Sequence, residues 1–151
     1  MNQHALDKAY MDMAIIWGRL SRAQRKQVGA LIVNNNMIIS DGFNGTPSGF
    51  DNTCEDVVEE KEHCETDELC LKTRPEVLHA ESNAILKLAG STQSSEGATL
   101  YTTVSPCFDC SKLIIQSGIK RVVYHELYKN IDGLELLKLA EIQIRHLKML
   151  F

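Results

Sequence analysis

Apolar side chains at Leu6, Ala9, Tyr10, Met13, Ile16, Trp17 and Leu20 recur every three or four positions, so the spacing predicts a helix over 5–20 that buries one stripe. The period then changes. Two apolar, β-branched runs, 28–33 and 37–43, flank the tight-turn composition Asn34-Asn35-Asn36 and predict an antiparallel hairpin. The second run leads into Gly42-Phe43-Asn44-Gly45-Thr46-Pro47-Ser48-Gly49, whose glycines and proline predict a sharply turned loop with an Asn amide at a strand end. Over 50–78 periodicity is lost and acids crowd in, as in an inserted loop without a packed core of its own. Regular patterning returns with a helix over 80–89, a Ser/Thr/Gly loop over 90–97, a strand over 99–104, a helix over 108–117 and a strand over 121–124. An amphipathic helix over 131–140 and an edge strand over 142–147 complete it. Alternating strands and helices in the second half imply parallel pairing with right-handed crossovers, beside the antiparallel hairpin of the first half. The expected class is α/β, a mixed sheet of about five strands with helices on both faces.

At 151 residues the chain has the length of one domain, taken as 1–151 with an insert at 50–78. An apolar fraction of 44% and a charged fraction of 24% are those of an ordinary globular protein. The first residues, Met1 to Lys8, carry neither a basic nor an apolar leader region, and no apolar run reaches the length of a membrane span. A cytoplasmic location, with no membrane partner, is therefore expected. Five cysteines, an odd number, then point to thiolate ligands or buried thiols rather than disulfides. The formal charge of −4 speaks against polymeric nucleic acid as a partner but allows a small anion, which needs only a local basic cluster. Ser21-Arg22-Ala23-Gln24-Arg25-Lys26 is such a cluster, three cations without an acid. It is either a solvated helix end or a phosphate clamp. The hairpin places it at the same open end as the Asn44 loop, which favours Arg22, Arg25 and Lys26 as a clamp.

The chemistry-bearing residues are His79-Ala80-Glu81 and Pro106-Cys107-Phe108-Asp109-Cys110. One imidazole and two thiolates hold zinc with a fourth position open, where the metal lowers the pKa of a bound water to about 7. Glu81, two residues past the His, is then placed to move protons rather than to ligate. A closed structural site, with a fourth side chain in place of water, is the alternative; it has no use for Glu81. The pattern H-x-E…P-C-x-x-C is the signature of zinc-dependent nucleobase deaminases. Cys54, His63, Cys64 and Cys70 all fall in the insert and match a Cys₃His set for a second, structural zinc. Buried thiols with an exposed His fit equally well, because the Cys54 to His63 spacing is not that of a standard finger.

Together with the Asn44 loop and the run from Ile114 to Tyr124, these motifs make the chain resemble the deoxycytidylate (dCMP) deaminases of the cytidine deaminase superfamily, over about 9–147 of its length. The resemblance implies the three-layer α/β/α fold of that superfamily and hydrolysis of a cyclic amidine C–N bond: dCMP to dUMP with release of ammonia, a step feeding thymidylate synthesis. It implies zinc at His79, Cys107 and Cys110, and Glu81 as proton shuttle. It further implies Asn44 at the sugar or base, backbone near Ala80 and Ser105 at the base edge, and Tyr128 closing over the substrate. Many members are hexamers activated by dCTP and inhibited by dTTP, so a homo-oligomer with those effectors is implied as well. The insert and Gly90, where regulated relatives can carry an arginine, depart from the pattern and weigh against such control. The rival readings are a deaminase of another cytosine compound, of guanine or of tRNA adenosine, and a non-catalytic zinc-stabilised binding module.

Overall fold

The structure is a computed structural model that describes residues 1–58 and 70–150. In chain order its elements are α1 (Gln3–Gly18), β1 (Gly29–Asn34), β2 (Met37–Phe43), β3 (Glu55–Val58), β4 (Cys70–Thr73), α2 (Ala80–Lys87), β5 (Thr99–Val104), α3 (Phe108–Gln116), β6 (Arg121–Glu126), α4 (Asp132–Leu139) and β7 (Gln143–His146). Five strands form one sheet in the order β2-β1-β5-β6-β7. β1 pairs antiparallel with β2 and with β5, whereas β5–β6 and β6–β7 are parallel, as the alternation of strands and helices predicts. The β1–β2 turn is made by Asn35 and Asn36, both at positive φ (49° and 59°), the backbone that Asn tolerates and that a two-residue hairpin of this twist requires.

Alternation along the central strands sends successive side chains to opposite faces. Ala30, Ile32, Leu100, Val122 and Tyr124 pack with Ala80 and Ala84 of α2, Ile114 of α3 and Leu134 and Leu137 of α4. Leu31, Val33, Tyr101 and Val123 meet Tyr10, Met11 and Ala14 of α1 on the other side. Helices thus cover both faces.

Two sequence expectations need correcting. The buried face of α1 is Asp7, Tyr10, Met11, Ala14 and Gly18, while Met13, Ile16, Trp17 and Leu20 of the predicted stripe are exposed. The reason is a close approach of backbones: a Cβ on Gly29 would lie 1.9 Å from the Ala14 carbonyl oxygen, and one on Gly18 would lie 2.8 Å from Gly29 N. Only the small residues Ala14 and Gly18 of the helix can come so near the strand. The second correction is that the segment after Phe50 is not structureless. β3 and β4 pair as an antiparallel hairpin, Glu55 opposite Thr73 and Val58 opposite Cys70.

Candidate active site

His79 and Cys107 occupy equivalent places, each the extended residue that caps the N-terminus of its helix, α2 and α3 respectively. The Cys107 sulfur accepts a hydrogen bond from Cys110 N at 3.4 Å, so the first turn of α3 favours a thiolate there. His79 Nδ1 lies 3.4 Å from Cys107 Sγ and 3.5 Å from Cys110 Sγ. Tetrahedral zinc with usual Zn–N and Zn–S lengths puts such atoms about 3.6 Å apart, so the donor set fits the ion. The hydrogen bond from the Cys110 thiol, with help from His79 and against burial, pulls Cys107 down to about 4. Cys110 moves up, through the same hydrogen bond and its own burial. The hydrogen bond with Cys107 raises His79 against a desolvation cost, with the charge of Glu81 adding to the rise.

Glu81, one residue into α2, is 4% exposed, and burial raises its carboxyl above the usual range. Its Oε1 lies 3.1 Å from the Thr102 hydroxyl, which β5 presents to the α2 face and which is also 2.9 Å from the Val104 carbonyl oxygen. A hydroxyl has one proton to give. It can donate to an ionised Glu81, or donate to Val104 while accepting from a protonated one.

His79, Glu81 and Cys107 line a cavity of about 450 Å³ that also takes in Arg25, Lys26, Asn44, Glu55, Ala80, Ser105, Glu126, Tyr128 and Lys129. Of the basic run, Arg25 and Lys26 reach the cavity, whereas Arg22 is exposed and does not line it. Arg25 donates to Thr73 Oγ1 at 3.2 Å, and Lys26 is ion-paired with Glu126. The amide of Asn44 is largely spent on the backbone: Nδ2 donates to Lys26 O and Oδ1 accepts from Val28 N, both at 2.8 Å. Its first role in the fold is to clamp the basic loop. The Ser105 hydroxyl likewise accepts from Tyr128 N at 2.7 Å, which sets the loop carrying the half-exposed Tyr128 ring. Glu55, Thr102 and Lys129 were not among the residues the motifs single out. The alternation of β5 marks Thr102, but Glu55 sits in an acid-rich stretch with no period to betray its burial.

Of the four-residue set for a second zinc, the described residues are Cys54 and Cys70, and these two are not brought together. His63 and Cys64 lie outside the described residues. Cys54 precedes β3 by one residue while Cys70 pairs with Val58 at the strand's far end, four residues and roughly 13 Å along the ladder. Two thiolates on one zinc need to be within about 4 Å of each other. Cys54 is instead a buried thiol against the Asn52 carbonyl, and Cys70 is disulfide-bonded, contrary to the expectation of no disulfides. Among the described residues His79, Cys107 and Cys110 are the group placed to hold a metal ion.

Residues 4–126 match the family model described as "Cytidine and deoxycytidylate deaminase zinc-binding region". The chain belongs to this family. Within it, the deoxycytidylate deaminase of phage T4 is 37% identical over 153 residues, covering 82% of this chain and 79% of the phage protein. The Schizosaccharomyces pombe deoxycytidylate deaminase is 38% identical over 143 residues, 92% of this chain but 43% of that longer protein. Among solved structures, the dCMP deaminase of cyanophage S-TIM5 in complex with dCMP and dUMP superposes with a TM-score of 0.83 at 38% identity, covering 97% of this chain and 99% of that one.

Proposed function

We propose that the chain hydrolyses dCMP to dUMP and ammonia. The observation that carries the reading is that a buried carboxyl group, Glu81, stands beside three metal ligands in a cavity that also holds Arg25, Lys26 and Lys129. The family resemblance and the likeness to the nucleotide-bound cyanophage enzyme support the choice of nucleotide. His79, Cys107 and Cys110 would hold one zinc per chain, which when bound supplies Lewis-acid activation of water.

Glu81 then does the proton work. Its carboxylate takes a proton from the attacking water and delivers it to ring N3, which makes C4 electrophilic. The C4–O bond forms, Glu81 carries the second proton to the exocyclic amine, and the C4–N bond breaks to release ammonia. Thr102 turns its single proton with each change of charge on Glu81, and so keeps the carboxyl group oriented through the cycle. The backbone at Ala80 flanks the base, Tyr128 covers it, and Asn44 holds the sugar end through the loop it clamps. Arg25 and Lys26 meet the 5′-phosphate, with Glu126 giving up Lys26 as the anion arrives.

Ammonia release from a panel of dCMP, deoxycytidine, cytosine and guanine tests the reading. Turnover of dCMP far above the others is expected; turnover of deoxycytidine alone would overturn the nucleotide assignment. We infer a homo-oligomer as well, supported by the apolar outer stripe of α1. Adding dCTP or dTTP to the dCMP assay tests for the effector response that the family resemblance implies.

A further inference from the structure

Glu55 is 6% exposed and lines the same cavity as Glu81. Its Oε1 accepts from Gln24 N at 2.9 Å and from Arg25 N at 3.1 Å, so the carboxyl group ties the basic loop to the start of β3. Its Oε2 is equally buried, yet among the described residues no donor reaches it. A buried acceptor left unmade is costly, and a fold that keeps one against a ligand cavity has a use for it when the ligand is present.

We propose that Oε2 of Glu55 accepts the hydrogen bond of the sugar 3′-hydroxyl, which makes Glu55 the residue that recognises the nucleotide's sugar. The chemistry narrows the choice. A carboxyl oxygen beside Arg25 cannot face the phosphate directly, because two anions would repel at that range. The exocyclic amine is the leaving group and belongs beside Glu81. A 2′-deoxynucleoside 5′-monophosphate has one other donor on its sugar, the 3′-hydroxyl. It lies close to the 5′-phosphate, as Glu55 lies close to the loop of Arg25 and Lys26. The inference rests on the nucleotide reading above and deepens it.

The test uses product binding to the zinc-loaded enzyme, so that turnover does not enter. Calorimetry compares dUMP with 2′,3′-dideoxyuridine 5′-monophosphate, which lacks the 3′-hydroxyl. The wild type is expected to prefer dUMP by at least about tenfold, the size of a hydrogen bond to a charged group. In Glu55→Ala the preference falls to within about threefold of unity. Glu55→Gln keeps an acceptor for Gln24 N and Arg25 N and so preserves the loop; its amide nitrogen, in the place of Oε2, can only donate to the hydroxyl, and with the charge gone the preference falls below that of the wild type. A preference kept in both variants, or a wild type that binds the two ligands alike, overturns the proposal. Turnover of dCMP measured in parallel decides the deaminase reading separately: a protein that prefers dUMP through Glu55 but releases no ammonia fails that reading and keeps this one.

Discussion

Glu81 sits where a proton carrier is most useful and least comfortable: buried, in contact with one hydroxyl, and two residues from His79 of the group placed to hold a metal ion. Replacing it with Gln preserves volume and the Thr102 contact but removes the base, so deamination should fall by about 10²-fold or more. Because Glu81 is not a ligand in this reading, zinc content should stay at one per chain by metal analysis, and near-normal turnover in such a zinc-replete variant would sink the mechanism. Thr102→Val is a gentler probe. It deletes the hydroxyl within the same shape and should lower kcat by about tenfold with KM held, the size of one hydrogen bond. At this scale the sequence was most informative where a pattern is short and covalently constrained. Cys107 and Cys110 are three residues apart at the head of one helix, so spacing alone predicts that they meet; His79 and Glu81 are only two apart, and it is the motif rather than helical spacing that pairs them. Glu55 is invisible in the same way that Asn44 is ambiguous. The burial of one and the spent amide of the other depend on partners, Gln24, Lys26 and Val28, that are set by tertiary contact.

Among the elements, α1 shows why a correct helix can be given the wrong face. Both of its sides carry apolar residues, and periodicity cannot tell which one docks; the contact between Gly18, Gly29 and Ala14 decides it. Gly29→Ala should therefore force helix and strand apart and cost about 1–3 kcal/mol or more in denaturant unfolding, although alanine is the mildest of substitutions elsewhere. The same face buries Asp7, which joins α1 to β5, β6 and β7 through Tyr101 (2.7 Å), Arg121 (2.8 and 2.6 Å) and Arg145 (2.7 Å). Burial pushes its carboxyl up, but the hydrogen bonds from Arg121, Tyr101 and Gln3 outweigh it and hold the group well below the usual carboxylate range. A depressed folded pKa means that the native state binds fewer protons than the unfolded one. Its contribution is thus present above the unfolded value, about 3.9, and is lost as pH falls below it. Asp7→Asn should flatten the acid limb of the stability curve and cost about 3 kcal/mol at neutral pH, since it leaves two guanidinium groups short of their partner. The basic loop is the other element with a functional stake. Replacing both Arg25 and Lys26 with Ala should raise KM for dCMP far more than for deoxycytidine, because only the nucleotide loses a charged partner. Equal losses on both substrates would place the phosphate elsewhere.

For the whole molecule, the docking of α1 through Ala14 and Gly18 leaves Met13, Ile16 and Trp17, with Leu20 just past the helix end, between 36% and 59% exposed. Four large apolar side chains exposed along and just beyond a helix that already has its core contacts are the mark of a surface made to be covered. Four residues make the anchor of an interface rather than all of it, since a stable one buries about 1,200–2,000 Å² in total. Trp is among the residues from which such anchors are most often built. Because Ile16 and Trp17 contribute little to the chain's own core, Ile16→Glu with Trp17→Glu should leave the thermal midpoint of the separated chain nearly unchanged while adding buried charge to the contact between copies. On the homo-oligomer inferred above, sedimentation velocity at a fixed protein concentration should show the assembly replaced by a smaller species, and a wild type that already sediments as a single chain would dispose of that inference. An assembly of unchanged size in the double variant would mean that copies meet through another face, and that this surface of α1 answers to a different partner.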